Sequence, residues 1–429
     1  MAFSPTLTTP ETAAAGRAAP ADLRWFVFAL FFIFGGITSL NDVLIPKLKS
    51  LFTLSYFEAM MIQSAFFAAY FLVSLPAAAI VRRIGYMRAA ALGLMTMTAG
   101  CLLFIPASLT AVFPAFLGAL FVLASGVTIV QVVANPLISM LGQPETVHSR
   151  LTFAQAFNAL GTTIFPFFGA RLILGSLQVV DETTLDAAGL AAFRAQEAGV
   201  IVNTYLGIAA ALVIVAAAVW FRRRRLVEAP APAVPMLAAF GLLRRPRFAF
   251  GVLAIFVYVG GEVSIGSLLA NYLMQADTMA LAAQTAGSLV ALYWGGAMVG
   301  RFIGAAVLRR FAPSLVLCGT AIGAGTLLVI AGGSVGQISG WSLIAIGLCN
   351  SIMFPTIFSL ACEGLEARAA EGSGIICMAI VGGAIVPLLT GIVADAHGLR
   401  AALMVPLACY VAIAAFALAT RRLSSGVRT

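Results

Sequence analysis

Phe221-Arg222-Arg223-Arg224-Arg225, followed by Pro230, Pro232 and Pro235 and closed by Arg244, Arg245 and Arg247, is the one break in composition along this chain. Four consecutive guanidinium groups are too costly to lie in hydrocarbon, and closely spaced prolines do not continue a helix. On both sides of the break the sequence runs in apolar stretches near the roughly 20 residues that a membrane-crossing helix needs. Working outward, charges, prolines and polar clusters mark six stretches before it, at 24–51, 57–81, 88–108, 112–140, 152–176 and 200–221. Six more follow, at 249–273, 284–308, 314–332, 338–361, 372–395 and 399–420.

Composition agrees. Of 429 residues, 62% are hydrophobic and 10% charged, against about 45–50% and about 25% in soluble domains. A soluble globule is therefore excluded. The expected fold is an all-α membrane protein of twelve transmembrane helices. Residues 1–23 are expected to be a disordered cytoplasmic tail, 24–221 and 249–420 two six-helix halves, 222–248 a cytoplasmic linker and 421–429 a second tail. Cys101, Cys318, Cys349, Cys362, Cys377 and Cys409 are scattered through apolar runs without paired spacing, so neither a disulfide framework nor a metal site is expected.

With the N-terminus inside, nineteen lysines and arginines fall in cytoplasmic segments and five (Lys47, Lys49, Arg171, Arg194, Arg400) outside, with Arg301 within a helix. The positive-inside rule then puts both termini in the cytoplasm. That bias also accounts for the net charge of +9, so no nucleic-acid partner is expected.

Ala134-Asn135-Pro136-Leu137 in the fourth span is echoed by Met353-Phe354-Pro355-Thr356 in the tenth, with an offset of 219 residues, and Pro166 with Gly169 returns as Pro387 with Gly391. Two similar halves about an axis along the membrane normal, with a site between them at mid-depth, resemble the plan of the major facilitator superfamily.

Charge within a span marks function by default. Glu58 and Asp395 lie at span ends, where solvation explains them, which leaves Asp42 and Glu262. Glu262 stands about 13 residues into its span, near mid-bilayer at 1.5 Å per residue, behind Gly260 and Gly261, which permit close approach. Asp42 follows Asn41 and precedes Pro46, and its depth depends on where the first helix ends. Uncharged amides form a second set. Gln131 and Asn135, four apart, share a helix face, as do Gln155 and Asn158, three apart. Their donors and acceptors match the hydroxyls of a sugar, although helix-to-helix bonding is the competing use. Asn271 and Asn350 add amides from the second half. Trp294 is a candidate for stacking on a sugar ring, with lipid-facing packing as the alternative. Arg301 is expected to pair with Glu363 or Glu366 and close an inward gate, or else to snorkel.

The segments FGGITSLNDVLIPK (34–47), QVVANPLISMLG (131–142), LTFAQAFNALG (151–161), YVGGEVSIGSLLANYL (258–273), GLCNSIMFPTIFSL (347–360) and SGIICMAIVGGAIVPLLTG (373–391) resemble the fucose/galactose/glucose:proton symporter family, and its glucose/galactose branch most closely. The resemblance implies cation-coupled symport of a hexose by alternating access. It assigns proton coupling to Asp42, in the Leu-Asn-Asp motif, and sugar contact to Gln155 and Asn158. Where fucose relatives carry a second acid in the fourth span this chain has Gln131, and Glu262 stands where they have a neutral residue. The membrane acid has thus moved to the second half. The loop after the second span, Arg82-Arg83-Ile84-Gly85, departs from the superfamily pattern and lacks its aspartate.

Asp42 and Glu262 are accordingly read as the coupling acids, and Asn41, Gln131, Asn135, Gln155, Asn158, Glu262, Asn271, Trp294 and Asn350 as substrate contacts. Arg301 and Glu363 are read as gating residues. No cofactor is expected beyond the coupling proton, with sodium as the alternative ion. The partners are a sugar and the lipid bilayer of an inner membrane, and the chain is expected to be a monomer. An antiporter, or a carrier of another small organic solute, is the alternative on the same fold. A membrane transferase is disfavoured because His148 and His397 fall on opposite sides.

Overall fold

The computed structural model describes residues 24–37, 39, 56–110, 112–173, 187–224, 235–365 and 368–425. Asn41, Asp42, Pro46 and Glu366 lie outside the described residues. Among those described, all regular structure is helical. The helices are α1 (Arg24–Ile37), α2 (Tyr56–Ile84), α3 (Tyr86–Thr110), α4 (Phe113–Met140), α5 (Val147–Ile173), α6 (Ala187–Arg222), α7 (Pro246–Met274), α8 (Ala283–Val307) and α9 (Pro313–Gly333). They continue as α10 (Gly336–Asn350), α11 (Met353–Cys362), α12 (Ala369–Ala379), α13 (Gly382–His397), α14 (Leu399–Ala402) and α15 (Met404–Ser425). Ten stretches are long and apolar enough to cross a membrane, the last three being α10 with α11, α12 with α13, and α14 with α15. With α1 and α5 the described passages number twelve. Between α6 and α7, Met236–Arg244 forms a 3₁₀ helix, held by Arg368 Nη2 donating to the Ala238 carbonyl at 2.9 Å.

Local sequence sets the ends of these helices. Pro246 and Pro313 open α7 and α9, positions where the missing N–H would have had no helical partner. Gly85, at φ +86°, turns the chain between α2 and α3, a conformation that costs glycine nothing. The C-terminal carbonyls of α4 have a dedicated cap. Buried Arg150 donates to the carbonyls of Ile138 at 2.8 Å and Ser139 at 2.7 Å, and also to the Gln143 carbonyl and Thr146 Oγ1. One guanidinium thus satisfies several of the acceptors that a helix end leaves open.

The prolines of the internal repeat have a sharper effect. Pro136 has no N–H for the Val132 carbonyl, and Pro355 has none for that of Ser351. Both carbonyls lie at buried residues, where an unpaired acceptor is expensive. Ser373 Oγ, on α12 of the second half, donates to the Val132 carbonyl at 2.9 Å. Arg301 Nε, on α8, donates to the Ser351 carbonyl at 3.2 Å. The tenth passage breaks here into α10 and α11, and the freed Asn350 carbonyl lies 3.2 Å from Tyr258 Oη.

The halves meet closely at the end of the bundle where α2, α4 and α11 finish and α5 and α12 begin. Arg82 pairs there with Glu371, which also accepts from Arg368 Nε at 2.9 Å. Glu371 is 3% exposed. An acid from the second half therefore engages the arginine of the degenerate loop motif. Nearby, Ser149 Oγ donates to the Ala305 carbonyl at 2.6 Å and accepts from Arg309 Nε at 3.3 Å, and the rings of Phe153 and Phe302 meet edge to face.

Ser373→Ala removes the only donor described for the Val132 carbonyl and is expected to cost about 1–3 kcal/mol of stability. The check is a lowered midpoint of thermal unfolding in detergent; an unchanged midpoint would show that the carbonyl finds another partner.

Candidate functional site

Glu262 lies sixteen residues into α7, about 24 Å along a helix of 29 residues. It is therefore close to mid-depth. The residue is half-buried, while the groups supporting it are buried. Tyr258, one turn earlier, has its hydroxyl 2.7 Å from Glu262 Oε1, to which it donates. Tyr293, from α8, donates to the Glu262 backbone carbonyl at 3.1 Å. Its hydroxyl accepts from Asn350 Nδ2 at 2.8 Å, and Asn350 Oδ1 accepts from Tyr410 on α15 at 2.7 Å. Four helices thus converge on Glu262 through three tyrosines and an amide, one tyrosine on its carboxylate and another on its backbone carbonyl. Each tyrosine is no more than 1% exposed, so Glu262 is the least buried member of the network.

The first half supplies a wall of amides. Tyr70, on α2, donates to Gln131 Oε1 at 2.6 Å, which turns the donor end of Gln131 away from the tyrosine. Gln155 Nε2 donates to Asn135 Oδ1 at 3.2 Å across α5 and α4, which leaves the Gln155 oxygen as its free end. Asn135 is fully buried, and its Nδ2 has no partner among the described residues. A buried amide nitrogen without an acceptor is an open demand for one.

Arg301 spans the two walls. Besides the Ser351 carbonyl, its Nη1 donates to the Gln155 carbonyl at 3.4 Å. The expected pairing with Glu363 is not made. Glu363 lies beyond the end of α11, where it pairs with Arg247 and with His148 Nε2 at 3.2 Å. His148 Nδ1 in turn lies 2.6 Å from Ser359 Oγ. Arg301 stays with the backbone because Pro355 leaves a carbonyl there for it.

Other residues singled out in the sequence fall in different places. Asn350 is buried with both ends of its amide engaged, as a strut of the tyrosine network. Asn158 donates to the Phe31 carbonyl at 3.2 Å and so ties α5 to α1. Asn271 is exposed and, nine residues beyond Glu262, emerges half a turn around α7, so the fold does not bring it to the site. Asp395 is exposed near the end of α13. Trp294 is 45% exposed and stands edge-on to Tyr293 at 5.0 Å. Its indole lies over Gly266, where a Cβ would come within 2.8 Å of Cζ2. Gly266 is one turn beyond Glu262, so the indole borders the face that carries the carboxylate.

Tyr70, Tyr258, Tyr293 and Tyr410 escaped the sequence reading. Two carried a signal: Tyr258 is four residues from Glu262, and Tyr293 adjoins Trp294. Nothing local marked Tyr70 or Tyr410.

Comparison with known proteins matches residues 26–380 to the Major Facilitator Superfamily. The chain is 48% identical over 389 residues to the glucose/galactose transporter of Brucella abortus biovar 1 (strain 9-941), covering 91% of this chain and 92% of that one. It is 34% identical over 408 residues to the L-fucose-proton symporter of Escherichia coli (strain K12), covering 91% of each. Among solved structures, that of the superfamily transporter FucP in the outward conformation superposes with a TM-score of 0.85 at 30% identity, covering 94% of this chain and 99% of that one.

The Glu363 cluster generates a pH dependence. Partial burial alone raises this carboxyl, but the hydrogen bond from His148 and the charge of Arg247 outweigh it and hold it below the ordinary carboxylate value. A carboxyl depressed in the folded chain adds stability above its unfolded value of about 4.3 and loses it as pH falls through the folded value. The unfolding midpoint of wild type minus that of Glu363→Gln is expected to shrink as pH falls below about 4, where this carboxyl takes up its proton. A difference that widens below about pH 4 contradicts this.

Proposed function

The chain belongs to the Major Facilitator Superfamily, and we propose that it carries a hexose of the glucose, galactose or fucose class across a bacterial inner membrane, together with a cation, by alternating access of its two six-helix halves. The observation that carries this reading is Glu262, a half-buried acid at mid-depth, in a chain 48% identical to a named glucose/galactose transporter.

Gln131 offers a donor and Gln155 an acceptor, so the two amides bind vicinal hydroxyls in opposite sense. Asn135 lies behind them with a spare N–H. Trp294 covers the apolar face of the ring, and Glu262 takes a further hydroxyl and the coupling proton. Asp42, in the Leu-Asn-Asp motif, is the second coupling acid, with Asn41 beside it. A proton suits isolated carboxylates, whereas sodium requires carbonyls gathered around Asp42. Coupling follows if protonation and sugar binding favour the same conformation. No cofactor enters, and a single chain suffices.

Nineteen basic residues on one side support cytoplasmic termini. The tightly joined end of the bundle is then the cytoplasmic end, and the conformation is outward-facing, in keeping with the resemblance to FucP in that state. Reorientation must part Arg82 from Glu371, His148 from Glu363, and Ser373 from the Val132 carbonyl. Arg301 must also release the Gln155 carbonyl, which makes it, with Glu363, a gating residue.

In proteoliposomes, Asp42→Asn and Glu262→Gln are each expected to abolish concentrative uptake of glucose or galactose under a pH gradient while leaving counterflow. Unchanged accumulation in both variants rejects the acid assignments, and accumulation driven by sodium alone replaces the proton.

Tyr70→Phe frees Gln131 to rotate and is expected to raise the KM of counterflow about two- to tenfold, the worth of one hydrogen bond. Because both act on one contact, Tyr70→Phe added to Gln131→Ala is expected to change little more. Additive effects would mean that Tyr70 acts elsewhere.

A further inference from the structure

Away from the central site, the arginine-rich end of the bundle holds a cavity of about 520 Å³ that opens sideways between α3 and α6. Arg88, Ala91 and Met95 line it from α3; Ala217, Trp220 and Phe221 line it from α6. Their helical spacing puts each set on one face. The alanines keep the floor low, while Met95, Trp220 and Phe221 are exposed and form the walls, Phe221 to 81%. From Arg88 to Met95 the trough follows α3 for about 10 Å.

Hydrocarbon alone explains an apolar trough on a membrane-spanning helix bundle, but not the charge at its mouth. Arg88 is exposed at the start of α3. Arg223 stacks on the Trp220 ring at 4.3 Å and donates to the Trp220 carbonyl at 2.7 Å, which holds a guanidinium beside the groove. Arg224 follows. None of the three forms an ion pair among the described residues. Trp220 fits the headgroup level, where tryptophan concentrates. Basic pockets between helices at the cytoplasmic surface suit anionic headgroups, and guanidinium groups match the geometry of a phosphodiester.

We propose that this groove binds an anionic glycerophospholipid of the cytoplasmic leaflet. One acyl chain lies along Ala91 and Ala217, and the phosphate lies between Arg88 and Arg223. The site depends on the orientation given above but on neither the sugar nor the coupling ion.

The full chain is placed in phosphatidylcholine nanodiscs that contain a small fraction of lipid brominated in its acyl chains. The emission lost between the protein and its Trp220→Phe variant reports on the groove. Brominated phosphatidylglycerol is expected to quench that emission at a mole fraction about fivefold lower than brominated phosphatidylcholine requires. Arg88→Gln combined with Arg223→Gln removes the difference. Ala217→Phe, at an exposed position, weakens quenching by both lipids. Equal quenching by the two lipids in the wild-type protein overturns the proposal, as does a preference that survives loss of both arginines. A cross-link between two copies through Ala217→Cys also overturns it, by putting a second chain in the groove.

Discussion

Two backbone carbonyls that proline leaves without a helical donor, Val132 and Ser351, set terms that the rest of the molecule meets. Hydrocarbon has no water to satisfy them, so each requires a donor from another helix. Ser373 reaches one from the opposite half, and Arg301 reaches the other within its own half while extending to Gln155. The same sequence feature, repeated 219 residues apart, therefore does different work in the two halves. In the first it binds the halves together; in the second it holds a cation near the central carboxylate.

From that constraint follows the polarity of the centre. The break before Pro355 exposes the Asn350 carbonyl to Tyr258, and the Asn350 side chain joins Tyr293 to Tyr410. Glu262 thus sits in a buried, hydrogen-bonded frame drawn from four helices. In the first half, Tyr70 and Asn135 orient the amides of Gln131 and Gln155. At position 131 the chain holds a neutral group whose direction a buried tyrosine sets.

Much of the plan was legible along the chain. Helix count, the six-and-six division and the pairing of Pro136 with Pro355 follow from apolar length, charge and repetition, which are local quantities. Glu262 was legible because a carboxylate deep in an apolar run has few explanations. Arg301 stood out for the same reason, but its partner did not. Glu363 offered an opposite charge, whereas the fold supplied a carbonyl freed by a proline fifty-four residues away in sequence. The amides were recognised as polar, yet their spacing could not reveal that Asn158 is spent on α1 and Asn350 on a strut, or that Asn271 emerges on the far side of α7.

By itself, the sequence determined that this chain spans a membrane as twelve helices in two halves. This depends on the cost of placing a residue in lipid, and that cost is paid residue by residue. The tertiary structure alone decided which polar groups are satisfied by protein and which are left to a ligand. That choice depends on distances between helices far apart in sequence, and hydrogen bonds are too short-ranged and directional to be read from periodicity.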